Sequence, residues 1–408
     1  MRAESLDLSQ AIPLPRQKKA VGTPIAIYLA WKDIWRNRGR YFLISLVVAL
    51  ITTLVLFIAG LAEGLGTGNR EYIEKIDADV LLYQANVDLS IPSSRLGWSK
   101  MREVMRVEGV TGAGFVGFSN ASIPYPDGSE PLKVSLLGVE PGQPGEPPVF
   151  DGHGLMSRGG REVIIDKNVA DQMELAVGDT VTIKSILGAD EEYHDLKIVG
   201  VTDSRKYSIQ PSIFVPYQTW SEIKPRSANP ERGEELVFNL IAVQSDNSAD
   251  FAAMQERLQT QVKDVEAVDI VTAYENTPGY TAQQSTLNTQ KIFTLVIGVL
   301  VLGGFFQIQT LQKVAQVGML KAIGASALAI IVMSVMQIIA INVFGVLLGS
   351  LGTFGLTQIL PPGIPIVFRG DAVTSAILSL LLIGPIGGLV SVFTLLRAEP
   401  LKALGLAS

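Results

Sequence analysis

The chain has 408 residues, no cysteine, a formal net charge of −6 and only 18% charged residues. That length holds two or three domains, or a mixture of domains and membrane spans, and a mean hydropathy of +0.32 is high for a soluble protein. With no cysteine there is no disulfide, no cysteine metal site and no lipidated cysteine.

Residues 1–40 read as a basic N-terminal segment with an amphipathic helix. The stretch TPIAIYLAWKDIWRNRGRY (23–41) sets Ile27, Tyr28, Trp31, Ile34 and Trp35 at helical spacing, with Lys32, Asp33, Arg36 and Arg38 among them. This pattern predicts a helix on the inner membrane surface. Trp31 and Trp35 would anchor it, and Arg36, Arg38 and Arg40 would meet anionic headgroups. Anchoring alone would also account for it. Tyr41 to Ala62 carries no charge, matches the ~20 apolar residues that a bilayer core requires, and lacks the short apolar region and cleavage site of a signal peptide. It is transmembrane helix 1, 41–62.

Residues 63–290 form a large extracytoplasmic domain of mixed α and β character. Strands are expected at 78–84, 133–140, 161–167, 179–186, 194–202, 212–217 and 236–244, which are rich in β-branched residues and bounded by Gly, Pro, Asp or Asn. NVADQMELAVGDT (168–180) reads as a short helix ending near Gly178. A faint repeat, WSKMREVMRVEGVTGAGF (98–115) and FAAMQERLQTQVKDVEAVDIVT (251–272), suggests two helix–strand units. They would flank an insert and divide the domain into two subdomains, 63–108 with 234–275, and 109–233. The domain is acidic, which argues against nucleic acid as a partner.

The rest of the chain reads as transmembrane helix 2 (291–308), a cytoplasmic segment (309–326), transmembrane helix 3 (327–356), an outer loop (357–371), transmembrane helix 4 (372–396) and a cytoplasmic tail (397–408). Ala322 to Phe368 is uncharged and long enough for two spans, but its Gly- and Pro-rich end, with Pro361, Pro362 and Pro365, favours one span and a turn. Positive charges before span 1, at Lys313 and Lys321, and at Arg397 and Lys402 place both termini in the cytoplasm. The fold class is therefore a polytopic α-helical membrane protein with four transmembrane helices and a large α+β extracytoplasmic domain between helices 1 and 2.

The search for catalytic motifs is negative. There is no G-x-x-x-x-G-K-[ST], no H-E-x-x-H and no G-x-S-x-G, so no nucleotide site, no zinc protease site and no hydrolase elbow is expected. The only histidines are His153 and His194, and neither has ligand-like spacing. The uncharged runs 41–62, 292–312, 322–368 and 372–396 hold no Asp, Glu, Lys, Arg or His, which argues against an ion-coupled carrier. Gly345-x-x-x-Gly349 and Gly384-x-x-x-Gly388 are set for close helix packing, within the chain or between subunits.

Four stretches, in order, carry a resemblance: NRGRYFLISLVVAL (37–50), VIIDKNVADQMELAVGDTVTI (163–183) with KIVGV (197–201), VGMLKAIGAS (317–326) and LLRAEPLKALG (395–405). Together with the layout they resemble the permease subunits of the MacB/FtsX/LolCE-like class of ABC transporters, the type VII or mechanotransmission permeases. VEGVTGAGFVGFSNASIP (107–124) resembles the DevC-like branch. The chain departs from the family at Gln316, where a glutamate is usual.

The resemblance implies a homodimer in the bacterial inner membrane, with a separate ABC ATPase subunit on the cytoplasmic face and a periplasmic adaptor (membrane fusion protein) as a further partner. The permease chain itself would hold no cofactor and perform no catalysis, since ATP and magnesium would sit in the ATPase. The resemblance places the ATPase contact at Lys313, Gln316, Gly318, Lys321 and Gly324. Gly324 would end the helix there, because glycine tolerates the left-handed conformation. ATP-driven motion would then pass through the spans to the outer domain, in export or extraction of a lipid-like or amphiphilic substrate. The competing expectation is a membrane-anchored sensor or binding protein without an ATPase.

Overall fold

The structure, a computed structural model, describes residues 23–188, 190–225, 236–246, 250–323, 325–360 and 364–397. The chain forms two compact units. One comprises residues 1–60, 289–361 and 369–408, and the other residues 61–288 and 362–368. In chain order the elements are α1 (Thr23–Arg36), α2 (Arg38–Glu74), β1 (Val80–Gln84), β2 (Leu96–Gly97), α3 (Trp98–Val104), β3 (Val110–Ile123), β4 (Leu132–Val139), β5 (Asp151–Gly152), β6 (Glu162–Asp166), α4 (Lys167–Met173), β7 (Thr180–Leu187), β8 (Asp190–Thr202), β9 (Ser212–Pro216), α5 (Tyr217–Ile223), β10 (Val237–Phe238), β11 (Leu240–Ser245), α6 (Phe251–Gln261), β12 (Val265–Val268), α7 (Ile270–Glu275), α8 (Tyr280–Ala322), α9 (Ala327–Ile359) and α10 (Gly370–Arg397).

The first unit is helical. Four helices, α2, α8, α9 and α10, are long and apolar enough to cross a membrane. Small residues let them approach. A Cβ on Gly345 would lie 2.4 Å from Val48, and one on Gly349 would lie 2.5 Å from the Ala49 carbonyl oxygen, so this glycine pair seats α9 against α2. Gly384 and Gly388 do the same for α10 against α9, over Asn342 and Ile338. Both motifs therefore serve packing within one chain. Pro385 lies inside α10 and has no N–H to give the Leu381 carbonyl four residues back. Asn342 of α9 supplies the missing donor, its Nδ2 donating to the carbonyls of Leu381 (2.9 Å) and Leu380 (3.1 Å).

The second unit is built on a ten-stranded mixed sheet of order β12-β1-β11-β3-β4-β9-β6-β8-β5, with β7 pairing β8 and touching β3, and a small ribbon of β2 and β10. Alternation along the strands buries both faces. Val80 and Leu82 enter one core with Phe115, Trp220 and Phe238, while Leu81 and Tyr83 enter the other with Tyr72 and Phe214. Burial of each such large side chain contributes about 1.5–3 kcal/mol. Gly117 and Gly138 face each other across β3 and β4, and Trp220 lies on both. A Cβ at either would fall 2.7 or 2.4 Å from that indole.

All seven expected strand regions are strands, and both halves of the faint repeat are helix–strand units, α3 with β3 and α6 with β12. The expectation of two subdomains needs revision, because one sheet runs through the proposed boundary. β3 is 14 residues long; its first half pairs with β11 and its second with β4. The helix expected to end near Gly178 stops at Met173, where Glu174 takes a left-handed φ of 53° and closes it. Gly178 instead occupies the turn into β7 with a φ of 100°. The strand expected at 236–244 is divided at Asn239, whose buried amide Nδ2 donates to Ile91 O (2.8 Å) and whose Oδ1 accepts from Phe118 N (2.6 Å).

An ionic network holds the end of α2 inside this unit. Glu71 accepts from Lys75 (3.0 Å) and Ser204 Oγ (2.8 Å), Lys75 also reaches Asp203 (2.9 Å), and Arg205 reaches Asp203 (2.8 Å). Burial opposes both charges at Lys75 and Asp203, yet their mutual bonds prevail, so the ammonium is held above and the carboxyl below its ordinary pKa.

Candidate functional site

The helical unit carries one concentrated polar site. α1 is amphipathic, as its spacing predicted. Tyr28, Trp31, Lys32, Trp35 and Arg36 are exposed and Ala30 is buried. Trp31 and Trp35 lie 6.5 Å apart, and Lys32 sits 6.0 Å above the Tyr28 ring. Arg38 is exposed and Arg40 half-buried. α1 packs on α9, with Asp33 on its inward side.

Asp33 is the centre of the site. Its Oδ1 accepts from Asn37 Nδ2 (2.8 Å), and its Oδ2 accepts from Tyr41 Oη (2.6 Å), Gln337 Nε2 (3.0 Å) and the Lys313 ammonium. Lys313 donates as well to Tyr41 Oη and to Gln337 Oε1 (3.0 Å), so all three of its N–H bonds have acceptors. Its ammonium also lies 5.2 Å from the Tyr41 ring centroid. The two charged side chains are only 13% and 17% exposed. Burial raises the Asp33 pKa, but the hydrogen bonds from Lys313 and Tyr41 outweigh it and hold the carboxyl below its ordinary value. Side chains from α1, α2, α8 and α9 thus meet at one carboxylate.

The site redistributes the residues expected at the ATPase contact. Lys313 is turned into the protein and engaged by Asp33, with its side chain 13% exposed. Gly318 is buried beside Val317, which packs with Ile330 of α9. Gln316 is exposed and Lys321 half-exposed in the last turn of α8. Gly324 lies outside the described residues, as does Lys402 of the tail. Around that position the Ala325 N–H bonds the Leu320 carbonyl at 2.9 Å, the six-to-one bond of a helix C-cap. Ser326 caps α9 by accepting from Ala329 N (3.2 Å). The segment 309–326 is therefore mostly the last turns of α8, and its outer stripe is Gln312, Gln316, Met319 and Ile323, all exposed. Met319 and Ile323 were not singled out in the sequence reading, and the structure shows only that both are exposed. Their signal was an apolar pair four residues apart in a segment expected to be cytoplasmic.

The model of the MacB-like periplasmic core domain matches residues 41–261, more than half of the chain. The chain belongs to the MacB-like ABC transporter permeases. Two relatives, from Staphylococcus haemolyticus and Staphylococcus epidermidis, are 27% and 25% identical over 382 and 377 residues. Each alignment covers 92% of this permease and 99% of the relative, and both relatives are named as hemin transport system permease proteins HrtB. Among solved structures, the periplasmic region of MacB from Actinobacillus actinomycetemcomitans aligns at 16% identity and a TM-score of 0.35, covering 51% of this permease and 98% of that chain. The extracellular domain of the ABC-type transporter YknZ from Gram-positive bacteria aligns at 14% identity and a TM-score of 0.33, covering 47% and 99%. As in the sequence reading, the permease has four membrane-crossing helices and places its large α+β domain between the first and second of them.

Proposed function

We propose that this permease couples ATP hydrolysis by a separate ATPase on the cytoplasmic face of the bacterial plasma membrane to motion of its outer domain. The cargo is a lipid-like or amphiphilic molecule, exported or extracted from the membrane. The observation that carries this reading is the Asp33 site, which joins the surface helix α1 to the end of α8. A load applied to either helix must move the other or break a buried ion pair. Rigid transmission is favoured by the lengths of α2 and α8, 37 and 43 residues, both longer than the ~20 residues that span a bilayer.

In this reading the ATPase meets the exposed stripe of α8 at Gln316, Met319, Lys321 and Ile323, rather than Lys313. The homodimer, the adaptor, and the magnesium and ATP of the partner belong to the same proposal. The names of the staphylococcal relatives bear on cargo. Hemin is itself an amphiphile, an apolar macrocycle bearing carboxylates, and falls within the proposed class.

Co-purification in mild detergent tests the coupling. The wild-type permease is expected to bring down an ATPase subunit with measurable ATP hydrolysis. Met319→Glu with Ile323→Glu should abolish co-purification while the permease dimer persists. An ATPase that stays bound to this variant would move the contact elsewhere. A wild-type dimer that carries no ATPase would favour the membrane-anchored sensor or binding protein.

A further inference from the structure

We propose that the outer domain carries a binding site for an anionic amphiphile beside α3. A surface cavity of about 420 Å³ opens there. Its apolar side is formed by Trp98, Met101 and Met105, with Met101 buried and Met105 half exposed. Trp98 packs at a tilt against Phe115, 5.0 Å away, and Tyr217, 6.1 Å away. The wall is therefore an aromatic side chain supported by two others and flanked by two thioethers, which adapt to irregular apolar shapes.

The same cavity is lined by Arg102, on α3, and Arg106, in the turn that follows it, four residues apart and both exposed. Neither guanidinium has a side-chain hydrogen bond or ion pair among the described residues. Glu103 beside them is engaged with Lys100 at 3.4 Å, and Glu140, which also lines the cavity, is paired with Arg158 at 2.9 Å. Two uncompensated forked cations at the rim of an apolar cavity match a carboxylate or phosphate joined to an apolar body. The cavity is of ordinary ligand size. Neutral apolar molecules would leave the cations unused, and free inorganic anions would leave the apolar wall wet. Binding here requires no ATPase, so it stands or falls separately from the coupling proposed above.

The test uses the full chain in nanodiscs of phosphatidylcholine, with dodecanoate carrying a photoreactive diazirine. Saturable labelling is expected at Met101 and Met105 by mass spectrometry, displaced by dodecyl phosphate and by unlabelled dodecanoate but not by dodecanol. Arg102→Gln with Arg106→Gln should weaken labelling at least about tenfold, and Met105→Asp should do so with both guanidiniums intact. These residues are at the surface, so an unchanged melting temperature verifies the fold. The site is overturned if the double variant labels like wild type, if dodecanol competes as well as dodecanoate, or if labelling is confined to the membrane helices. Competition by dodecanoate but not by dodecyl phosphate supports the site and identifies a carboxylate as its headgroup, whereas failure of unlabelled dodecanoate to compete overturns it.

Discussion

Lys313 is one of only two basic residues between spans 2 and 3, and the structure uses it inside the protein. A buried pair need not stabilise a fold, but breaking one from a single side is costly, about 3–5 kcal/mol, because the remaining charge has no partner. Asp33→Ala should therefore lower the thermal stability of the purified permease strongly. Lys313→Met alone should do the same, since Asp33 would keep only neutral donors. The double variant Asp33→Leu with Lys313→Met removes both charges and should recover most of the loss. Melting temperatures of the four proteins would complete the cycle. Additive losses in the double variant would mean that the two side chains do not act as a pair. The sequence displayed Lys313 as a charge near a membrane end, which is why it seemed a surface contact. Its partner lies 280 residues earlier, on a helix read for its aromatic anchors and basic headgroup contacts, and no spacing connects the two. The burial of Gly318 was hidden for the same reason, since which side of α8 is covered depends on α9.

The helices and strands were legible because their signals are local. Uncharged runs marked the four spans, and β-branched runs between turn residues marked the sheet. What remained hidden was long-range compensation. Pro385 reads as a helix breaker, yet α10 continues through it, because Asn342 on another helix satisfies the Leu381 carbonyl. Hydrocarbon offers no replacement donor. Asn342→Leu should thus destabilise the contact of α9 with α10 by about 1–2 kcal/mol, the usual worth of a polar bond between membrane helices. Restoring an N–H with Pro385→Ala in the same chain should recover part of it. Steric-trap or thermal unfolding in bilayers would measure both. If Pro385→Ala gives no recovery in the Asn342→Leu background, the amide does not serve the proline. Asn239 has a similar role in the outer domain, where a polar side chain divides what reads as one strand into β10 and β11 by bonding two neighbouring segments.

At the scale of the whole molecule, four spans and the distribution of lysine and arginine predict which face sees the cytoplasm. The positive-inside rule concerns short loops near the spans; here it predicts the α8–α9 turn and the basic α1 region on one side of the membrane and the acidic outer domain on the other. The prediction is unusually clean to test, because the chain has no cysteine and any introduced thiol is the sole target. Ser129 is exposed in the outer domain and Ile323 is 78% exposed beyond the last turn of α8. In intact cells of an expression host whose outer membrane has been made permeable, Ser129→Cys should react with a membrane-impermeant maleimide and Ile323→Cys should not. After the plasma membrane is opened, both should react. Gly39→Cys, at the start of α2 where nothing lies within 4 Å of an added Cβ, should follow Ile323→Cys. If Gly39→Cys and Ile323→Cys fell on different sides, the number of spans between them would be odd. If both reacted from outside, the whole orientation would be inverted, and a cytoplasmic ATPase could not reach the α8 stripe.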